Sequence, residues 1–146
     1  YMDCTEIITL AVRIEKKLKD FYDVAEFAVH SPDSKAPIVA IKVKLVEKLS
    51  VLEGIKPEKF GTPEWLKFVP PLSEKDVIPK GRITRSSPPG EIYAQMLGSE
   101  EKLRDYYTQV SSCVTARALK ELFDSLTAFK IGQIEGIKRL MRLQGT

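Results

Sequence analysis

Two stretches of the sequence place a glutamate at the same point of one repeated phrase. Residues 15–22 read EKKLKDFY and residues 100–107 read EEKLRDYY, so eight positions recur 85 residues later with mostly conservative changes. The repeat aligns Glu15 with Glu100 and Tyr22 with Tyr107. Two matched carboxylates predict one shared partner: a metal ion, a cationic side chain or a proton.

Both glutamates fall within apolar series of the kind that marks one face of a helix. The residues step by three and four, in the series Ile8, Ala11, Glu15, Leu18, Tyr22, Ala25 and in the series Tyr93, Met96, Glu100, Leu103, Tyr107, Val110. A carboxylate among apolar neighbours is costly unless it is neutralised. The alternative is that each glutamate lies at the edge of its stripe and reaches water.

The surrounding pattern predicts four long helices. Apolar spacing and breaker residues place them at about 5–30, 36–55, 89–113 and 115–143. Seven of the nine prolines fall within residues 56–89, so residues 56–88 are expected to form a long crossover, with one short helix near Glu64 to Phe68. The predicted fold class is all-α, with two antiparallel helical hairpins in a single domain, 1–146.

Composition excludes several classes of function. The 146 residues are 43% hydrophobic, enough for one core, and the net charge of +3 is spread among interspersed Lys, Arg, Asp and Glu, so no nucleic-acid partner is expected. Cys4 and Cys113 form no C-x-x-C pair for a zinc or rubredoxin-type iron site. No membrane span, signal-peptide layout, nucleotide fingerprint or serine with a histidine partner is evident, and a cytoplasmic protein is predicted.

The motifs resemble those of a known family. The pattern Glu15…Phe21-Tyr22, its repeat Glu100…Tyr106-Tyr107 and the segment Leu122-Phe123-x-x-Leu126 are similar to those of the rubrerythrin group of ferritin-like proteins. In that family the motif glutamates bind a dinuclear iron centre, and a Glu-x-x-His on each of the other two helices completes it. The resemblance implies a ferritin-like antiparallel four-helix bundle.

The remaining ligands of that centre are largely missing. The second helix offers Glu47-Lys48-Leu49-Ser50, with Ser50 at the place of the histidine. The fourth offers Lys130-Ile131-Gly132-Gln133 or, in an alternative alignment, Phe129 and Gly132. His30, the only histidine, stands at the end of the first helix, too far from Glu15 to share a site. The resemblance leaves a degenerate set of three metal ligands, Glu15, Glu47 and Glu100. Iron or manganese is the cofactor that this set could hold.

Lys130 offers a different way to neutralise the carboxylates. At the position of the missing glutamate of the fourth helix, its ammonium could replace part of the positive charge of the metal in a buried ion cluster. The alternative is an ordinary solvated lysine. The predicted polar partners in the core are Ser50, Lys130, Gln133, Tyr22 and Tyr107.

Three functions are compatible with this pattern, and no catalytic residue is assigned. The first is a binding or structural module, expected to be a homo-dimer, that is non-catalytic or binds metal weakly. The second is an iron- or manganese-dependent oxidoreductase or peroxidase of the rubrerythrin type with an atypical, carboxylate-rich site, as the resemblance implies. The third is an adaptor that uses Trp65, Phe68 and the prolines of the crossover to bind a peptide.

Overall fold

The computed structural model describes residues 2–56, 60, 65, 66, 72–79 and 83–143. Four long helices and one short helix account for most of these residues, which confirms the all-α prediction. The elements in chain order are β1 (Met2–Asp3), α1 (Cys4–Ala28), α2 (Pro32–Glu53), β2 (Trp65–Leu66), α3 (Glu74–Val77), α4 (Pro89–Cys113) and α5 (Arg117–Leu143).

Helix α1 begins at a side-chain cap and buries the stripe that the sequence predicts. Asp3 precedes the helix, and its Oδ1 accepts a hydrogen bond of 2.8 Å from the backbone N–H of Glu6, which satisfies one of the unpaired donors of the first turn. The buried face includes Ile7, Ala11 and Leu18 together with Glu15. The charged side chain therefore lies on the same face as the apolar residues.

Helix α2 begins earlier than predicted. The predicted start was at about residue 36, yet Pro32 is the first residue of α2. Proline suits this position because it lacks an N–H, which the first turn would leave unpaired in any case. The core face of α2 is formed by Ile38, Ile41, Leu45, Leu49 and Leu52. On the side toward α1, Lys42 Nζ lies 3.0 Å from Asp23 Oδ1 and 2.5 Å from Glu26 Oε2.

The described part of the crossover packs on the helices. Trp65 and Leu66 pair antiparallel with Asp3 and Met2, so these two residues are a strand where a short helix was expected. Val77 of α3 is buried, and its carbonyl oxygen accepts a hydrogen bond of 2.6 Å from Ser99 Oγ on α4. The prolines at 57, 63, 70 and 71 and the expected contact residue Phe68 lie outside the described residues.

Helices α4 and α5 form the second helical pair. The link between them is short, and Ser111 Oγ of α4 donates a hydrogen bond to Asp124 Oδ1 of α5 close to it. Lys120 Nζ donates to the same Ser111 Oγ at 3.0 Å. Buried apolar side chains from α1, α2, α4 and α5 form one hydrophobic core. Among the residues described, no helix is both long and apolar enough to cross a membrane.

Candidate functional site

The repeated glutamates meet a lysine inside the core. Lys130 of α5 has no exposed surface, and Glu15 of α1 and Glu100 of α4 are 1% and 0% exposed. Lys130 Nζ lies 2.7 Å from Glu15 Oε1 and 3.1 Å from Glu100 Oε2. One ammonium group therefore bridges two carboxylates that are 85 residues apart in the sequence.

Two buried tyrosines complete this cluster by crossing between the helices. Tyr22, on the same helix as Glu15, donates a hydrogen bond of 2.5 Å to Glu100 Oε1. Tyr107, on the same helix as Glu100, donates one of 2.7 Å to Glu15 Oε2. In each repeat the tyrosine follows the glutamate by seven residues, close to two helical turns, so both side chains lie on one helical face. We call Glu15, Tyr22, Glu100, Tyr107 and Lys130 the ion cluster.

Aromatic rings enclose parts of the ion cluster. Lys130 Nζ lies 5.3 Å from the centroid of the Phe129 ring, within range of a cation–π interaction. The Tyr107 ring lies 5.9 Å from that of Phe123, which is itself fully buried. Because Lys130 has no exposed surface, the attraction between its ammonium and the carboxylates is screened less than at the surface.

Burial and charge shift the pKa values within the cluster. Burial by itself lowers the pKa of the Lys130 ammonium, but the charges of Glu100 and Glu15 outweigh this effect and raise it above 10.5. Burial raises the pKa of Glu100 above 4.5, and Lys130 offsets only part of the rise. Burial, together with the neighbouring carboxylates, raises the pKa of Tyr22 and Tyr107 well above 10.0. Both hydroxyls therefore remain protonated donors at neutral pH.

The charges in the cluster do not balance when both acids are ionised. Two carboxylates and one ammonium leave one negative charge in excess. Glu100 Oε2 contacts Lys130 Nζ at 3.1 Å without a well-directed hydrogen bond, whereas the other three carboxylate oxygens each accept one. This oxygen of Glu100 and the burial of its side chain both favour the protonated acid, in agreement with the raised pKa of this residue.

The structure places the other predicted site residues elsewhere. Gln133 is buried, but its Nε2 donates a hydrogen bond of 3.0 Å to the carbonyl oxygen of Ile41 and so joins α5 to α2. Glu47 and Ser50 were expected near the carboxylates, and this expectation is wrong because both side chains are exposed. Glu47 follows the buried Leu45 by two residues, which is a rotation of about 200° around the helix and directs it away from the core.

These positions do not fit a dinuclear iron centre. Three described residues, Glu15, Glu100 and Lys130, converge, and the third brings a positive charge that would repel a metal ion. Among the residues that the structure describes, no group of three or more His, Cys, Asp or Glu side chains could hold a metal. His30 is remote from the cluster, with its Nε2 bonded to the carbonyl oxygen of Arg85 at 2.9 Å.

Sequence reasoning missed the exchange of hydrogen bonds between the helices. Tyr22 and Tyr107 were expected as partners of the site, but their bonds reach residues 78 and 92 positions away, which helical spacing cannot reveal. The contact between the Phe129 ring and Lys130 Nζ was not anticipated either, although the two residues are adjacent in the sequence. Comparisons with protein-family models, with curated proteins and with solved structures found no match for this chain.

Proposed function

We propose that this protein is a ferritin-like, rubrerythrin-related module in which a lysine has taken the place of the metal, and that it serves a binding or structural role rather than a catalytic one. The observation that carries the proposal is the contact of Lys130 Nζ with both Glu15 and Glu100. An ammonium group at this point supplies the positive charge that two buried carboxylates require.

The hydrogen bonding of the carboxylates supports this role. The two oxygens of Glu15 accept hydrogen bonds from Lys130 and Tyr107. Of the two oxygens of Glu100, one accepts a hydrogen bond from Tyr22 and the other contacts Lys130. A metal ion would have to displace the ammonium before it could bind either carboxylate. A metal centre at this point would also need the carboxylate oxygens as ligands, and here each of these oxygens already faces a donor from the chain.

The arrangement of the helices supports the ferritin-like part of the proposal. Helices α1 and α2 form one pair, α4 and α5 form the other, and a long connection joins them, which is the order of helices in ferritin-like bundles. The two copies of the repeat lie on α1 and α4 and meet at the ion cluster. Their reciprocal hydrogen bonds are those expected of two related hairpins that pack as a pseudo-twofold pair.

The metal content of the purified protein tests the proposal. We expect protein expressed in medium supplemented with iron and manganese to contain far less than one equivalent of either metal by elemental analysis. The Lys130→Glu variant, purified in parallel, is the matched comparison because it replaces the ammonium by a third carboxylate. Near-stoichiometric iron or manganese in the wild-type protein would instead favour an oxidoreductase of the rubrerythrin type and would overturn the proposal.

A further inference from the structure

Helix α2 carries a second apolar face, on the side opposite its core residues. Val43, Val46 and Val51 are 46%, 42% and 59% exposed. Ala40 and Ser50 on the same side are also exposed. A helix that is apolar on both faces has more apolar surface than a single core contact covers, and clustered exposed valines are typical of interaction sites.

The helices that the structure describes beside α2 do not cover this face. Lys42 marks the side of α2 toward α1, through its contacts with Asp23 and Glu26. Lys48 marks the side toward α5, because its Nζ donates a hydrogen bond of 3.0 Å to Ser125 Oγ. At about 100° per residue, Val43 and Glu47 point away from both of these sides and from the core.

Two charged residues on this face have no ion-pair partner among the described residues. Lys44 and Glu47 are both exposed, and neither forms a salt bridge within the part of the chain that the structure describes. Lys42, five residues before Glu47 on the same helix, pairs with two carboxylates. The face therefore combines exposed valines with one positive and one negative side chain, neither of which pairs with a described residue.

We propose that this face binds the same face of a second copy of the chain, with the two α2 helices antiparallel around a twofold axis at the level of Leu45. In this register Val43 meets Val46 of the partner subunit, Ala40 meets Val51 of the partner subunit, and Lys44 meets Glu47 of the partner subunit. The twofold axis repeats each of these contacts. Apolar residues thus meet apolar residues, and each unpaired charge meets an opposite charge.

Self-complementarity is the reason for a second copy rather than a different protein as the partner. In an isologous interface, residue i contacts residue j and residue j contacts residue i, so one face must supply both members of every pair. Flanking charges of this kind set partner choice and orientation when helices pack side by side. The α2 face points away from the core and so from the ion cluster, and the proposal is independent of whether that cluster ever held a metal.

Charge exchange between positions 44 and 47 tests both the dimer and its register. We expect sedimentation equilibrium to show a wild-type dimer. Glu47→Lys and Lys44→Glu should each raise the dimer Kd at least about tenfold, because each variant replaces two attractive pairs by two repulsive ones. The double variant, Lys44→Glu with Glu47→Lys, should recover the wild-type Kd, since the pairs return with their signs exchanged.

A matched control separates the interface from the general effect of charge. Glu135→Lys makes the same change at an exposed position of α5 outside this face and should leave the Kd unchanged. Far-UV circular dichroism should show unaltered helicity in every variant, because all these side chains are exposed. A monomeric wild-type protein, a dimer indifferent to Glu47→Lys, or a double variant no tighter than the single ones would each refute the proposed interface.

Discussion

Lys130 brings a positive charge into the apolar interior between α1, α4 and α5, where its ammonium contacts Glu15 and Glu100. Removing such charges from water costs several kcal/mol per ion, by order of magnitude, and their mutual attraction offsets that cost only when the geometry is good. A well-packed apolar trio could therefore be as stable as this cluster. Loss of a single member is different, because it leaves the others buried without a partner.

Substitution of Lys130 by methionine should be severely destabilising. Lys130→Met keeps most of the side-chain volume but leaves Glu15 and Glu100 buried without a cation, and we expect a loss of about 3–5 kcal/mol in the free energy of unfolding at neutral pH. The loss should be smaller at pH 5, because protonation neutralises carboxylates that lack a cation. Urea denaturation of the variant and the wild-type protein at both pH values measures this.

Lys42 provides the control for that experiment. It also contacts two carboxylates, those of Asp23 and Glu26, but its side chain is 21% exposed and the contacts are screened by water. Lys42→Met should therefore cost about 0–1 kcal/mol. If the two variants lost similar stability, burial would not be the reason that loss of the lysine from the ion cluster destabilises the protein.

Glu100 predicts a pH dependence of stability with a definite sign. Because the pKa of Glu100 is raised above 4.5 in the folded protein, the folded state holds a proton that the unfolded state has already released. The contribution of this group to stability is thus largest below pH 4.5 and declines as pH rises through the raised pKa. Lys130 adds a second decline at alkaline pH, above its usual value of 10.5.

Glu100→Gln isolates the first of these effects. The variant keeps the shape of the side chain but cannot titrate, so the wild-type protein should lose stability relative to it as pH rises from 4.5 toward neutrality. Paired urea titrations across this range give the difference in the free energy of unfolding at each pH. A difference that is constant, or that moves in favour of the wild-type protein with rising pH, would contradict the raised pKa.

At the scale of single residues, the sequence predicts which charged residues belong to the ion cluster better than it predicts the hydrogen bonds that they form. Glu15 and Glu100 could be recognised because a repeated phrase places each on an apolar stripe, and Lys130 because the resemblance to rubrerythrins would put a metal ligand at its position. The partners of Tyr22 and Tyr107 depend on how two distant helices face each other. Spacing along one helix carries no information about that contact.

Among the elements, the junction of α4 and α5 depends on a hydroxyl group. Ser111 is 4% exposed; its Oγ donates to Asp124 Oδ1 and accepts a hydrogen bond from Lys120 Nζ. Ser111→Ala removes both bonds at a partly buried position and should lower the free energy of unfolding by about 1–2 kcal/mol, as measured by urea denaturation.

The neighbouring serine tests whether that loss is specific. Ser112 is exposed, and its Oγ donates a hydrogen bond to the carbonyl oxygen of Gln109 on the same helix. Ser112→Ala should change stability by no more than about 0.5 kcal/mol. Equal losses in the two variants would mean that the bond across the two helices contributes nothing beyond an ordinary surface hydroxyl.

The bounds of α4 and α5 were predictable, whereas the start of α2 and its outward face were not. The predicted ranges 89–113 and 115–143 agree with α4 (Pro89–Cys113) and α5 (Arg117–Leu143) to within two residues, because proline and apolar spacing mark them clearly. In α2, valines lie on the outer side as well as on the flanks of the core face. An argument from family position therefore put Glu47 and Ser50 inside, although the Leu45 and Leu49 stripe already directs them outward.

At the scale of the whole molecule, the proposed replacement of a metal by Lys130 predicts that a metal site can be restored in part. Lys130→Glu puts a third carboxylate beside Glu15 and Glu100, and a divalent ion bound to this set would stabilise the folded state by mass action. We expect added Mn²⁺ to raise the Tm of Lys130→Glu in thermal unfolding and to leave the wild-type Tm unchanged.

Lys130→Gln is the matched variant, because it also removes the ammonium but supplies no carboxylate. Its Tm should not respond to Mn²⁺. If Lys130→Glu and Lys130→Gln responded alike, the added ion would be acting elsewhere on the protein, and the descent of the ion cluster from a metal site would lose its support.

The crossed tyrosine bonds also bear on how the chain folds. Tyr22 and Glu15 belong to the first helix, and their hydrogen-bonding partners lie beyond residue 99, so neither carboxylate gains a tyrosine donor until the two halves of the chain have met. An intermediate with only the α1–α2 hairpin formed would hold Glu15 on an apolar surface without a cation, because Lys130 lies on α5. Docking of the hairpins and completion of the cluster should therefore be one kinetic event. If one helix docked with its register shifted by one turn, both tyrosine–glutamate hydrogen bonds would be lost together.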